Sequence, residues 1–372
     1  MRYNFDKVID RSGTSAEKVE GLKHIWGRTD LIPLWVADMD FATAPFVTDA
    51  IRKRCENEVL GYTGKPDSYY NAIINWVKQR YDLVVAKEMI NFVPGIVPGI
   101  GMAMNCFTQK GDKVMIQPPV YHPFAWVTTR NERTLVTNPL KWENGMYRMD
   151  LDTFREQIKG CKLFILCNPH NPGGVVWTEA ELRAIADICY DEKVLVFSDE
   201  IHADLTLPPH THRPFATVSE KARMNSVTFM SPSKAFNMPG LSASHALIFN
   251  EDLRKRFRIY MDAGELDMGH VFAFLSVEAA YSHGTEWLDQ CLAYIQGNID
   301  FVDDFLKNHA PKIKAIRPEA SYLVWLDCRE LKLSQKDLNE FFVDKAHLAL
   351  NDGEMFGKEG IGFMRLNVAS PR

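Results

Sequence analysis

The chain has 372 residues, past the length at which one hydrophobic core usually stops growing, so two domains are expected. Apolar residues make up 46% and charged residues 24%, the balance of a folded globular protein, which excludes a disordered chain. A formal net charge of −5 leaves no basic field to hold nucleic acid or anionic lipid.

The N-terminal stretch MRYNFDKVIDRSG carries charges where a signal peptide needs an apolar run. The first ~45 residues, this stretch included, show few regular patterns and are expected to pack with the C-terminal part of the chain. The apolar run Ile90–Val93 leads into Gly95-Ile-Val-Pro-Gly-Ile-Gly101, read as a turn opening a helix through Met102, Ala103, Met104 and Phe107. Backbone N–H groups at such a helix start suit an anion, with the helix dipole contributing up to ~2 kcal/mol. The spacing departs from the dinucleotide fingerprint, since Met104 stands where a third small residue is required, and no P-loop occurs.

Short apolar runs then alternate with helical patterns: Asp112–Gln117, Lys162–Cys167, Val194–Ser198, Ser226–Met230 and Ala246–Asn250 read as strands. Thr178–Tyr190 reads as a helix opened by the capping-box pair Thr178 and Glu181. This alternation predicts an α/β fold with a mostly parallel sheet between helices. Past Glu286 a long helical stretch precedes two further strands, Tyr322–Cys328 and Phe363–Ala369. The expected division is a large α/β domain over 46–285 and a smaller α+β domain from 1–45 and 286–372. The longest apolar runs, such as Leu163–Cys167, have strand length, too short to span a bilayer. Seven cysteines without a C-x-x-C pair argue against a disulfide framework and a thiolate zinc site. Cys161, Cys167 and Cys189 read as core residues, and a cytoplasmic location is expected.

In parallel sheets ligands bind beyond the carboxyl ends of the strands. Four runs exit there into Pro118-Pro-Val-Tyr121-His-Pro123, Asn168-Pro-His-Asn171-Pro-Gly-Gly174, Asp199-Glu-Ile-His202 and Ser231-Pro-Ser-Lys234. Each piece alone is ordinary turn or cap chemistry. Together they aim a phenol, an amide, a carboxylate and an amine at one crevice. That set matches what pyridoxal 5′-phosphate (PLP) requires of a protein. Lys234 is the amine for the aldehyde, and Asp199 is the acid opposite the ring nitrogen. Tyr121 stacks on the ring and Asn171 bonds its 3′ oxygen. The backbone of Ile96 and Val97 in the glycine turn, with Ser231 and Ser233, holds the phosphate.

The segments GIVPG, PVYHPF, CNPHNPGG, SDEIHADL and SPSKAFNMPGL resemble the fold-type I PLP enzymes of aminotransferase class I/II. Within them the chain is most similar to the MalY/PatB group of cystathionine β-lyases, or C–S lyases, from WVADMDF near Trp35 to FMRLNVASPR. The resemblance implies α,β-elimination from S-substituted cysteines, giving pyruvate, ammonia and a thiol, with Lys234 as the base. It also implies a homodimer with its site at the subunit interface. Tyr62 then reaches the partner's phosphate, and Arg365 holds the substrate α-carboxylate. Ala37 and Asp38, within Trp35–Phe41, line the substrate entrance. Many aminotransferases carry Tyr where this chain has His202, and relatives usually continue into another helix beyond the position of Arg372. An aminotransferase with the same Lys234 is the rival, and a regulatory protein keeping PLP as a structural ligand is the non-enzymatic one. Ser231-Pro-Ser-Lys234 also reads S-x-x-K, but the S-D-N and K-T-G companions of acyl-enzymes do not occur. A metal site from His202, Asp204, His210 and His212 is disfavoured, because the Pro208–His212 stretch reads as an exposed loop with solvated histidines.

Overall fold

The computed structural model describes residues 3–372. Its principal sheet has seven strands: β1 (Ile90–Val93), β2 (Lys113–Ile116), β3 (Thr134–Thr137), β4 (Cys161–Cys167), β5 (Leu195–Asp199), β6 (Ser226–Met230) and β7 (Ser244–Leu247). They lie in the order β1-β7-β6-β5-β4-β2-β3, parallel from β3 through β6, with β7 antiparallel to both neighbours. The central strands are buried on both faces, which is why they read as continuous apolar runs. Cys167 pairs with Asp199 and Asp199 with Phe229, so β4, β5 and β6 end level and their exits open on one edge.

Two expectations need correction. The run placed at Ala246–Asn250 forms its strand earlier, at Ser244–Leu247, with Ile248 and Phe249 buried beyond the strand end. The glycine turn is also shorter than expected, because the helix begins at Ile96 and runs to Phe107. Gly95 alone makes the bend, at φ 144°. Gly99 lies inside the helix, where an added Cβ would stand 2.9 Å from Val93 Cγ2 and 3.2 Å from Phe229 Cε1. Its lack of a side chain lets the helix sit close on the sheet.

The helix Glu179–Asp191 keeps its capping box, with Thr178 N donating to Glu181 Oε2 at 2.9 Å and Glu181 N donating to Thr178 Oγ1 at 3.2 Å. It buries Leu182, Ile185 and Ile188. The helix Thr285–His309, 25 residues long, leads to a second sheet of β8 (Lys314–Ile316), β9 (Leu323–Asp327), β10 (Asn351–Asp352) and β11 (Phe363–Asn367). Its order is β8-β9-β11-β10, all antiparallel. Near the N-terminus, Ile32–Pro33 pairs in parallel with Leu348–Ala349. One hydrophobic cluster joins Phe5, Phe41, Trp76, Phe236, Trp287 and Tyr322, so N-terminal, central and C-terminal segments share a core. Among the described residues all seven cysteines are free, and no helix is long and apolar enough to cross a membrane.

Candidate active site

The four strand exits meet at a cavity of about 220 Å³. Tyr121 follows β2, Asn171 follows β4, Asp199 ends β5 with His202 beyond it, and Ser233 and Lys234 follow β6; all six line the cavity. Ile96 and Val97 bring the first turn of their helix to the wall, and Ala37 closes it from the N-terminal segment. Pro98 stands in that first turn, where its missing N–H removes no helical hydrogen bond.

Burial governs the electrostatics. It pushes the Asp199 carboxyl up to about 7; the hydrogen bond from Ile201 N, at 3.1 Å, opposes this, Glu200 adds to it and Lys234 opposes it. That is the only hydrogen bond made by the Asp199 side chain among the described residues. Lys234 is pushed down to about 8 by burial and then by Arg365, against the pull of Asp38 and Asp199. Its Nζ donates to Ala37 O at 2.5 Å. Burial also holds the His202 imidazole down at about 3, neutral, with Nδ1 unpartnered among the described residues. Burial raises the Tyr121 phenol.

Four of the predicted residues stand outside the lining. The Ser231 hydroxyl is taken up within the loop, donating to Ala243 O at 2.8 Å and accepting from Ser233 Oγ at 2.9 Å and Ser233 N at 3.1 Å, so it braces the loop. Asp38 points back to Arg11 at 2.6 Å and toward the fully buried Lys18 at 3.6 Å. Arg365, on β11, reaches the cavity through Asn171, donating to its Oδ1 at 3.2 Å and to Trp35 O at 3.1 Å. Its guanidinium lies 4.9 Å from the centre of the Phe356 ring, its Nε has no partner among the described residues, and burial lowers it to about 10. Tyr62 is 97% exposed, in the loop between helices Pro45–Cys55 and Asp67–Tyr81, away from its own chain's cavity.

The expected solvated loop of histidines is half wrong. His210 is exposed, but His212 is buried, with Nε2 2.8 Å from Glu200 Oε2. Glu200 also accepts from Ser198 Oγ and Phe215 N, both at 2.8 Å, so the pair fastens the loop to the back of β5. No group of three His, Cys, Asp or Glu side chains among the described residues is arranged to hold a metal.

Several wall residues escaped the sequence reading: Cys167, Ile201 and Ser242–Ser244. Asn237 was also missed. At φ 52° it accepts from Met39 N at 2.9 Å and donates to Met39 O at 2.9 Å and Phe41 O at 2.7 Å, tying the N-terminal segment to the Lys234 loop. An Asn three residues after the lysine, in a stretch needing left-handed backbone, was the available signal.

The description "Aminotransferase class I and II" fits residues 29–372. Cystathionine beta-lyase PatB of Bacillus subtilis (strain 168) is 39% identical over 367 residues, covering 98% of this chain and 95% of that protein. The crystal structure of cystalysin from Treponema denticola, which contains a pyridoxal 5′-phosphate cofactor, superposes with a TM-score of 0.96 at 34% identity, covering 100% and 95% of the two chains. The PLP-bound C–S lyase from Staphylococcus hominis gives 0.91 at 36% identity with the same coverage. These likenesses bear out the expected fold-type I architecture and, spanning both sheets, show that the chain belongs to the aminotransferase class I and II family.

Proposed function

We propose that this chain is a PLP-dependent C–S lyase of the cystathionine β-lyase type, eliminating a thiol from S-substituted cysteines to leave pyruvate and ammonia. The observation that carries the reading is the convergence on one cavity of a buried amine and a buried carboxylate that no ion pair joins. The fit to the cofactor is chemical. Asp199 is a buried acid whose charged form lacks a cation, and a protonated ring nitrogen would supply one, the bond contributing about 1.5–3 kcal/mol. The helix start at Ile96 and Val97 offers unpaired N–H groups to a phosphate, and Ser233 adds a hydroxyl.

Bound there, PLP supplies an electron sink for the charge left at the substrate Cα. The chain's own groups do the rest. Lys234 Nζ would hold the cofactor's aldehyde, and as a free amine it takes the substrate Cα proton. A shift down to about 8 keeps a useful fraction of that amine neutral near physiological pH. Asp199 would hold a proton at the ring nitrogen, and Tyr121 would pack against the ring. Asn171 would bond the cofactor's 3′ oxygen, and Arg365 holds the substrate α-carboxylate, where a planar fork binds better than an ammonium. Lys234 or Tyr121 then delivers a proton to the leaving sulfur. His202, neutral and with one ring nitrogen free among the described residues, would adjoin the cofactor in the same cavity. Ala37 and Asp38 flank the entrance.

In this reading the enzyme is a cytoplasmic homodimer, and Tyr62 serves the partner's cavity. Its 97% exposure, with Val59 and Leu60 also exposed in the same loop, supports that placement. The division into 46–285 against 1–45 with 286–372 belongs to the same proposal. Its second cut falls at the first turn of the Thr285–His309 helix. Cystathionine supplied without any keto acid should yield pyruvate and a thiol catalytically. Turnover that appears only when a keto acid is added would make the chain an aminotransferase instead.

A further inference from the structure

The acceptor of the Lys234 amine is itself held with unusual care. Ala37 O takes a hydrogen bond from Lys234 Nζ and a second, at 3.0 Å, from the hydroxyl of Tyr322. Tyr322 is fully buried, and its hydroxyl has no other partner among the described residues. The backbone on either side of Ala37 is pinned as well, since Asn367 Nδ2 donates to Val36 O and Asp38 O, both at 2.7 Å.

The turn that delivers Tyr322 is strained and fastened to the site loops. Ser321, immediately before it, is a non-glycine residue at φ 81°. Ser321 N donates to Leu205 O at 2.9 Å, just past His202, while Glu319 N and Ala320 N donate to Gly174 O, just past Asn171. A Cβ on Gly174 would meet Pro318 at 2.5 Å, so that close approach requires glycine. The two loops that carry Asn171 and His202 thus also hold the turn that aims Tyr322 at Ala37.

We propose that Tyr322 is a positioning residue for proton transfer at Cα, fixing the Ala37 carbonyl as the preset acceptor for the ammonium that Lys234 becomes when it takes the proton. The carbonyl presents two lone pairs; Tyr322 occupies one and orients the other toward Nζ. A dipole aimed in advance at a developing charge lowers the barrier without reorganisation. The inference rests on Lys234 being the base, not on which bond at Cβ breaks.

Tyr322→Phe removes only the hydroxyl and orphans no buried group, so the fold should persist, with an unchanged melting temperature as the check. The holoenzyme is incubated with L-alanine in D₂O, and exchange of the Cα hydrogen is followed by NMR. Alanine has no β leaving group, so wild-type exchange without thiol release from cystathionine would sink the lyase reading and leave this one standing. In the cofactor-free protein, the pH dependence of Lys234 acylation is read by peptide mass spectrometry; Arg365, Asp38 and Asp199 are the charges acting on that amine. The variant should lose roughly tenfold in exchange rate, about 1.4 kcal/mol, with KM for alanine held within about twofold. Its Lys234 titration should move down by about half a pH unit, as the ammonium loses its oriented acceptor. Unchanged exchange, or a raised KM at unchanged maximal rate, overturns the proposal, as does an unmoved Lys234 titration.

Discussion

Asp199 and Lys234 are each costly to bury, and the two costs have opposite pH dependence. A carboxyl raised to about 7 keeps its proton in the folded chain while the unfolded chain has lost it above about pH 4. Folding stability therefore falls as pH rises through that window, and the full cost, on the order of 4 kcal/mol, persists above it. Asp199→Asn removes this penalty. The cofactor-free variant should be more stable than the cofactor-free parent at pH 8, by up to that amount, with the gap closing near pH 4. Urea titrations at the two pH values measure it, and equal gaps at both would mean that Asp199 is not a buried charge. With PLP bound the ranking of function reverses: the variant should keep cofactor yet lose Cα deprotonation by at least about a hundredfold, because a neutral amide cannot hold the ring proton. Near-normal turnover would refute the role. The Lys234 ammonium, lowered to about 8, works the other way, its cost being present below pH 8 and relieved as pH rises toward 10.5.

At the scale of the element, the helix Ile96–Phe107 shows how much a single missing side chain matters. A Cβ at Gly99 would stand 2.9 Å from Val93 Cγ2, closer than real Cβ atoms come, with Val93 Cβ at 3.1 Å and Phe229 Cε1 at 3.2 Å crowding it further, whereas at Gly101 the nearest atom, Val127 Cγ2, is 3.2 Å away. Gly99→Ala should destabilise by about 1–3 kcal/mol through overpacking against the sheet. Gly101→Ala should stay within about 1 kcal/mol of the parent, since gained helix propensity offsets a mild crowding. Denaturant midpoints decide it, and equal effects at the two positions would show that the helix does not sit where described. The same element marks where the sequence was readable. Strands β4, β5 and β6 were legible because burial on both faces writes an unbroken apolar run. The edge strand Thr134–Thr137 was not, because its half-exposed residues carry no such run. The strand at Ser244–Leu247 was misplaced for a related reason: Ser244 faces the cavity and is polar, while Ile248 and Phe249 continue the apolar run after the strand has ended.

At the scale of the whole molecule, the cavity residues that sequence reading found are those at the ends of adjacent parallel strands, where chain order and spatial order agree. Tyr322, Asn367 and Asn237 were illegible because their contacts to residues 36–41 span 196 to 331 positions of chain and leave no local pattern. Arg365 and Tyr62 were named only through family resemblance. Arg365 lies behind Asn171 of its own chain, while the exposed position of Tyr62 suits the proposed dimer, in which each cavity is completed by two chains. That arrangement predicts complementation. A Lys234→Ala subunit and a Tyr62→Ala subunit should each be inactive or nearly so, yet mixed dimers should contain one cavity with neither defect. Random reassociation should restore about a quarter of parental activity. No recovery on remixing, with dimers verified by sedimentation, would place Tyr62 outside the partner's site.

Every proposed role depends on which amine the cofactor occupies. Reducing the holoenzyme with borohydride fixes PLP to the lysine that carries it, and peptide mass spectrometry then locates the added mass. It should fall on the peptide containing Ser231-Pro-Ser-Lys234 and on no other. Label on a different lysine, or none on a protein that holds PLP, would contradict the assignment from which every other role follows.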